Sequence, residues 1–65
     1  MAKVGDKIQI RVCGAFGPQF MNLLPNTIHT IIKPPKGFKN NRDGYWVMGV
    51  GEPVRVLKGE FNFIE

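Results

Sequence analysis

Serine is missing from this chain of 65 residues, and cysteine and histidine occur once each, as Cys13 and His29. Without serine, a Ser-His-Asp arrangement is impossible. With one cysteine there is no internal disulfide, and a cysteine-and-histidine zinc site, which takes about four such ligands, is not expected either. Cys13 and His29 could in principle form a nucleophile and its base. A lone Cys at a strand end and a lone His inside a strand are far more often packing and surface residues, and no orienting group accompanies them. Neither GxxxxGK[ST] nor GxGxxG occurs, so no phosphate-cradling loop is present. The carboxylates Asp43, Glu52 and Glu60 stand beside turn glycines and are unpaired in sequence, which leaves general acid–base chemistry without an evident site. No apolar run approaches the roughly 20 residues that span a bilayer. The opening MAKVGDKIQIRV goes straight into an alternating pattern, without the apolar core of a signal peptide. These absences lead to the expectation of a non-enzymatic protein with no cofactor, metal or membrane contact, in a reducing, cytoplasmic setting.

Acidic residues are also unevenly missing. Segment 33–42, KPPKGFKNNR, carries Lys33, Lys36, Lys39 and Arg42 with no acid among them. Elsewhere Lys3, Lys7, Arg11, Arg55 and Lys58 are matched in number by Asp6, Asp43, Glu52, Glu60 and Glu65, so the formal net charge of +4 lies in one stretch. Pro34, Pro35 and Gly37 keep that stretch out of a helix and out of a central strand, because proline lacks the donor a ladder requires. A sequence pI near 9.7 favours anionic partners, nucleic acid first. Lys and Arg neutralise phosphates, and interleaved aromatics stack on bases. Phe38 lies between Lys36 and Lys39, and Tyr45 follows the loop, so the expected contact residues are Lys33, Lys36, Phe38, Lys39, Arg42 and Tyr45. The plainer reading is that the lysines are solvated charges and Phe38 only tucks the loop onto the body.

What is present in quantity is apolar sequence, 43% of the chain, ample for one folded domain covering residues 1–65. So short a chain buries only about 60% of the surface its unfolded form exposes and needs every apolar residue it has. Residues 7–12 alternate, with Ile8, Ile10 and Val12 on one face and Lys7, Gln9 and Arg11 on the other, as in a half-buried strand. Further strands are expected at 27–33, 45–50, 54–57 and 61–64, from β-branched and aromatic enrichment and from the turn signals between them. At 45–50 both faces are apolar, which suggests a central strand with Trp46 in the core, and Gly49 marks a bulge or a close backbone approach. Segment 58–60 is long enough for one tight turn, read as 3₁₀. Segment 14–26 is irregular yet apolar. Pro18 suits the first position of a short helical turn, with Phe20, Leu23 and Leu24 folded over the core as a lid. If Phe16, Phe20, Met21 and Leu24 are not all buried, they form a patch of the kind that marks a protein partner.

Five short strands, a long first loop, a tight hairpin and a one-turn link between VRVL and FNFI together resemble the SH3-like small barrel. The "VGDK" start is similar to that of SH3-like and KOW-type barrels. The block GYWVMGVGEPVRVLKGEFNFIE resembles short accessory proteins encoded by tailed bacteriophages. The chain departs from eukaryotic signalling SH3 domains in lacking their ALYDY stretch and acidic first loop, which removes the usual ground for a PxxP ligand. The resemblance implies an all-β, five-stranded SH3-like barrel with a 3₁₀ turn before the last strand. It also implies a phage-type accessory role in the host cytoplasm. Two functions are carried forward: contact with nucleic acid through loop 33–42, or docking on a host protein, acidic or otherwise, through loop 14–26 together with the basic loop. Self-association through an open sheet edge is a third possibility.

Overall fold

The first strand, β1, spans Lys7–Ile10 and buries Ile8 and Ile10 while Lys7 stays exposed, as the alternation requires. In the computed structural model, which describes residues 2–64, β1 is followed by one 3₁₀ turn at Pro18–Phe20 and by strands β2 (Ile28–Thr30), β3 (Gly44–Met48), β4 (Pro53–Leu57) and β5 (Phe61–Phe63), with no α-helix among the described residues. The fold is all-β. Every pairing is antiparallel: β1 lies between β2 and β5, and β3 pairs with β4 through five residue pairs from Gly44↔Leu57 to Met48↔Pro53. The two sheets meet at the single bridge Ile31↔Val47, supported by Ile32 N–H donating to the Trp46 carbonyl at 2.9 Å.

Between them lies one core: Ile8, Ile10, Leu23, Ile31, Tyr45, Val47, Val54, Val56 and Phe61 are buried, with Ala2, Cys13 and Phe20 packed against them. Removing each such side chain from water contributes about 1.5–3 kcal/mol, the main force holding the two sheets together.

Among the described residues the closed barrel expected from the sequence is not found; they form two open antiparallel sheets. The outer edge of β4 explains part of this. Pro53 has no N–H to offer, and the Leu57 N–H is taken by the Glu60 carboxylate at 2.9 Å, so two donors a closing ladder needs are gone. The same features blunt the edge against another copy. Residues 58–60 form a β-turn, not the expected 3₁₀ turn. Glu60 N–H reaches the Leu57 carbonyl at 2.9 Å while Gly59 sits at φ +94, in the left-handed region that a 3₁₀ turn excludes.

The expected first strand also ends early. Arg11 N–H and Val12 N–H both donate to the Glu60 carbonyl, at 2.7 and 3.3 Å, which places two residues opposite one. This is a β-bulge, and it resets the pleat so that Val12, assigned by alternation to the core face, is turned out to solvent. Gly49 does mark a close approach: its N–H bonds the Glu52 carbonyl at 2.8 Å, and a Cβ there would run into the Gln19 carbonyl oxygen and sit 2.9 Å from Val54 Cγ1.

Candidate functional site

Loop 33–42 is a built structure rather than a slack tether. Phe38 N–H donates to the Pro35 carbonyl at 3.0 Å, with Gly37 at φ +88, a β-turn that needs glycine at its third position. Asn41 and Gly44 exchange two backbone hydrogen bonds, at 3.0 and 3.1 Å, and the Asn41 Oδ1 accepts from Asp43 N–H at 2.9 Å. The main fastener is Asn40. Its Nδ2 donates to the Ile32 carbonyl at 3.1 Å and its Oδ1 accepts from Trp46 N–H at 2.8 Å. The side-chain amide thus fills the place of a ladder rung between the segment entering the loop and the strand leaving it.

Lys33, Lys36, Lys39 and Arg42 are all exposed on this framework. Phe38 is 60% exposed, and its ring rests on Trp46 with centroids 5.0 Å apart and planes inclined at 56°. The aromatic between the lysines is therefore braced from below and open above. Tyr45 and Trp46 exchange the roles expected of them. Tyr45, read as a contact residue, is 5% exposed and belongs to the core, where it meets Phe61 and Phe63 edge-on at 5.9 and 5.5 Å. Trp46, read as core, lies half-buried on the opposite face of β3 under Phe38. The cause is the one-residue pleat: in an all-apolar strand, the composition does not say which parity faces in. Arg55 joins this face unannounced by the sequence. It stands opposite Trp46 across the ladder, and its guanidinium crosses Gly44, where a Cβ would collide with Nε. The Trp46 indole N–H is buried without an acceptor among the described residues.

Loop 14–26 departs from the expected lid. The 3₁₀ turn starts at Pro18 as anticipated, and Leu23 is buried with Phe20 packed beside the core. Phe16, however, is 95% exposed and Met21 71%, and Leu24 is exposed as well, so three of the four residues named for an interface lie at the surface. They line a groove of about 320 Å³ together with Val12, Phe20 and Pro25. Glu60 holds the start of this loop. Its carboxylate accepts from Gly14 N–H at 3.0 Å and from Leu57 N–H at 2.9 Å, while its backbone carbonyl receives the bulge.

Family models, curated proteins and solved structures all yield no match to this chain.

Cys13 and His29 make separate contacts. Cys13 Sγ lies 3.9 Å from the Ala15 carbonyl, while His29 Nε2 is 2.8 Å from the Thr27 hydroxyl. Because that hydroxyl donates to the Leu24 carbonyl at 2.6 Å, it accepts from the ring, so Nε2 carries a proton. Burial pushes the His29 pKa below its ordinary value, partly opposed by a hydrogen bond with the Asn22 backbone. Among the described residues no three His, Cys, Asp or Glu side chains gather as metal ligands, and no helix is long and apolar enough to cross a membrane.

A surface that the sequence does not announce lies between the end of the basic loop and Phe63 of β5. Asn40, Asn41, Arg42, Tyr45, Phe63 and Ala2 line a cleft of about 570 Å³. A second hollow of about 280 Å³ shares Arg42, Tyr45 and Phe63 and extends to Lys58 and Phe61.

Proposed function

We propose that this protein is a non-enzymatic binding module, a phage-type accessory protein acting in the host cytoplasm, that contacts nucleic acid through loop 33–42. The observation that carries the reading is the Phe38–Trp46 pair, with Phe38 open to solvent between Lys36 and Lys39. Cations for phosphates and a braced ring for a base are the two elements that sequence-tolerant nucleic-acid binding requires. Loop 33–42 holds four cations and no acid, so it carries the formal excess charge of the chain. The finer fold reading, an SH3-like barrel left open, is supported by strand order. Through the Ile31↔Val47 bridge the order runs β5-β1-β2-β3-β4, that of the small barrels the sequence resembles.

The test is the triple variant Lys36→Ala, Lys39→Ala, Arg42→Ala, assayed for retention of DNA and RNA across salt concentrations. Losing three phosphate contacts should weaken binding and reduce the slope of log K against log salt by about 2–3. Unchanged retention with an unchanged slope refutes the reading.

A second reading is favoured by one specific observation, the 95% exposure of Phe16 beside the groove of loop 14–26. So much open apolar surface on so small a protein suits docking on a host protein. Phe16→Asp and Leu24→Asp should then abolish capture of a partner that survives nuclease treatment, with the fold unchanged. Capture that disappears with nuclease assigns the partner to nucleic acid.

A further inference from the structure

We infer that the nucleic acid bound is single-stranded, and that the cleft between Arg42, Tyr45 and Phe63 receives one of its bases. This rests on the nucleic-acid reading and adds to it a second surface. The cleft begins where the basic loop ends, since Asn40, Asn41 and Arg42 belong to both. A strand whose phosphates follow Lys33, Lys36 and Lys39 is thus led to it.

The cleft has the chemistry that an unpaired base needs. Phe63 is 53% exposed, yet its ring is held at right angles to both Tyr45 and Phe61, with centroids 5.5 and 5.3 Å away. It is an aromatic surface that is open to a ligand and fixed by its neighbours. Asn41 commits its Oδ1 to Asp43 N–H, so its amide N–H groups remain for the hydrogen-bonding edge of a base. Arg42 lines both the cleft and the adjoining hollow, and Lys58 lines the hollow. Cations therefore stand beside the aromatic floor, which suits the phosphates that flank a stacked base. The volume of about 570 Å³ lies within the roughly 300–1,000 Å³ of small-ligand pockets. A duplex keeps its bases stacked inside and has nothing to offer this cleft; an unpaired strand exposes them.

The experiment is fluorescence anisotropy with labelled oligothymidine and oligouridine of about 12 nucleotides, and a DNA duplex of the same length. It uses the full chain and its Phe63→Ala, Phe63→Tyr and Lys36/Lys39/Arg42→Ala variants, each checked for an intact thermal transition. The expected result is tighter binding of the single strands than of the duplex. Phe63→Ala should weaken single-strand binding about tenfold or more without changing its salt slope, and Phe63→Tyr should restore it. The triple variant should lower the slope for every polymer. A Phe63→Ala variant that binds like the parent overturns the cleft assignment while leaving the loop reading standing; equal affinity for duplex and single strand overturns the cleft assignment and the stacking role of Phe38, leaving only the phosphate contacts of the loop. Absence of binding to all three polymers overturns both.

Discussion

Replacing Asn40 tests how the basic loop is held. Its side-chain amide bridges the Ile32 carbonyl and the Trp46 N–H, at 3.1 and 2.8 Å, in a part-buried setting. In Asn40→Ala both backbone groups lose that partner. An unsatisfied buried group costs about 1–3 kcal/mol, and the partial exposure here argues for the lower end, so the pair should cost about 2–3 kcal/mol. Total stability for a domain of this length is expected at roughly 3–10 kcal/mol, so the loss is a large share of it. In thermal terms it corresponds to a midpoint lower by about 10–20 °C. Asn40→Asp has the same shape and keeps an acceptor for Trp46 N–H, but it points a carboxylate oxygen at the Ile32 carbonyl; it should be no more stable than Asn40→Ala. Urea unfolding followed by far-ultraviolet circular dichroism measures both. A loss below about 0.5 kcal/mol for Asn40→Ala would mean that the Ile32 carbonyl and the Trp46 N–H find each other or water without the amide, and the view of it as a ladder rung would be wrong.

Three further outcomes follow from the same contacts. Glu60→Ala removes the acceptor of Gly14 N–H and Leu57 N–H, both exposed, and should lower stability by about 0.5–1.5 kcal/mol with faster amide exchange at those two positions, measured by NMR. Gly49→Ala should cost about 1–3 kcal/mol in urea unfolding, because the added carbon meets the backbone oxygens of Gln19 and Glu52 rather than a side chain that can swing aside. Burial lowers the His29 pKa in the folded protein, so below the unfolded value of 6.5 the unfolded chain binds the extra proton first. Stability should therefore fall as pH drops through about 6.5 and below, and a His29→Gln variant should show a flatter pH profile in thermal melts.

The features legible in the sequence are the local ones. The alternation of Lys7, Ile8, Gln9 and Ile10 gave β1 its faces, Pro18 marked the 3₁₀ turn, and the missing side chain at Gly49 marked a close approach. The concentration of charge between Lys33 and Arg42 survives as an exposed loop. What was not legible depends on partners far away in the chain. The bulge that turns Val12 outward is imposed by the carbonyl of Glu60. Tyr45 and Trp46 sit in a strand with no polar residue to set its parity, so the core chose between them only when β4 and β5 packed. The cleft beside Phe63 is lined by residues from the N-terminal segment, the basic loop, β3 and β5, and no segment taken alone carries that information.

The placement of Trp46 has a practical consequence. It is the only tryptophan in the chain, and its indole lies directly beneath the ring at the centre of the basic loop. Its emission under ultraviolet excitation reports on whatever comes to rest on Phe38, with no dye attached. The protein carries a built-in optical gauge at the point where its ligand is proposed to land.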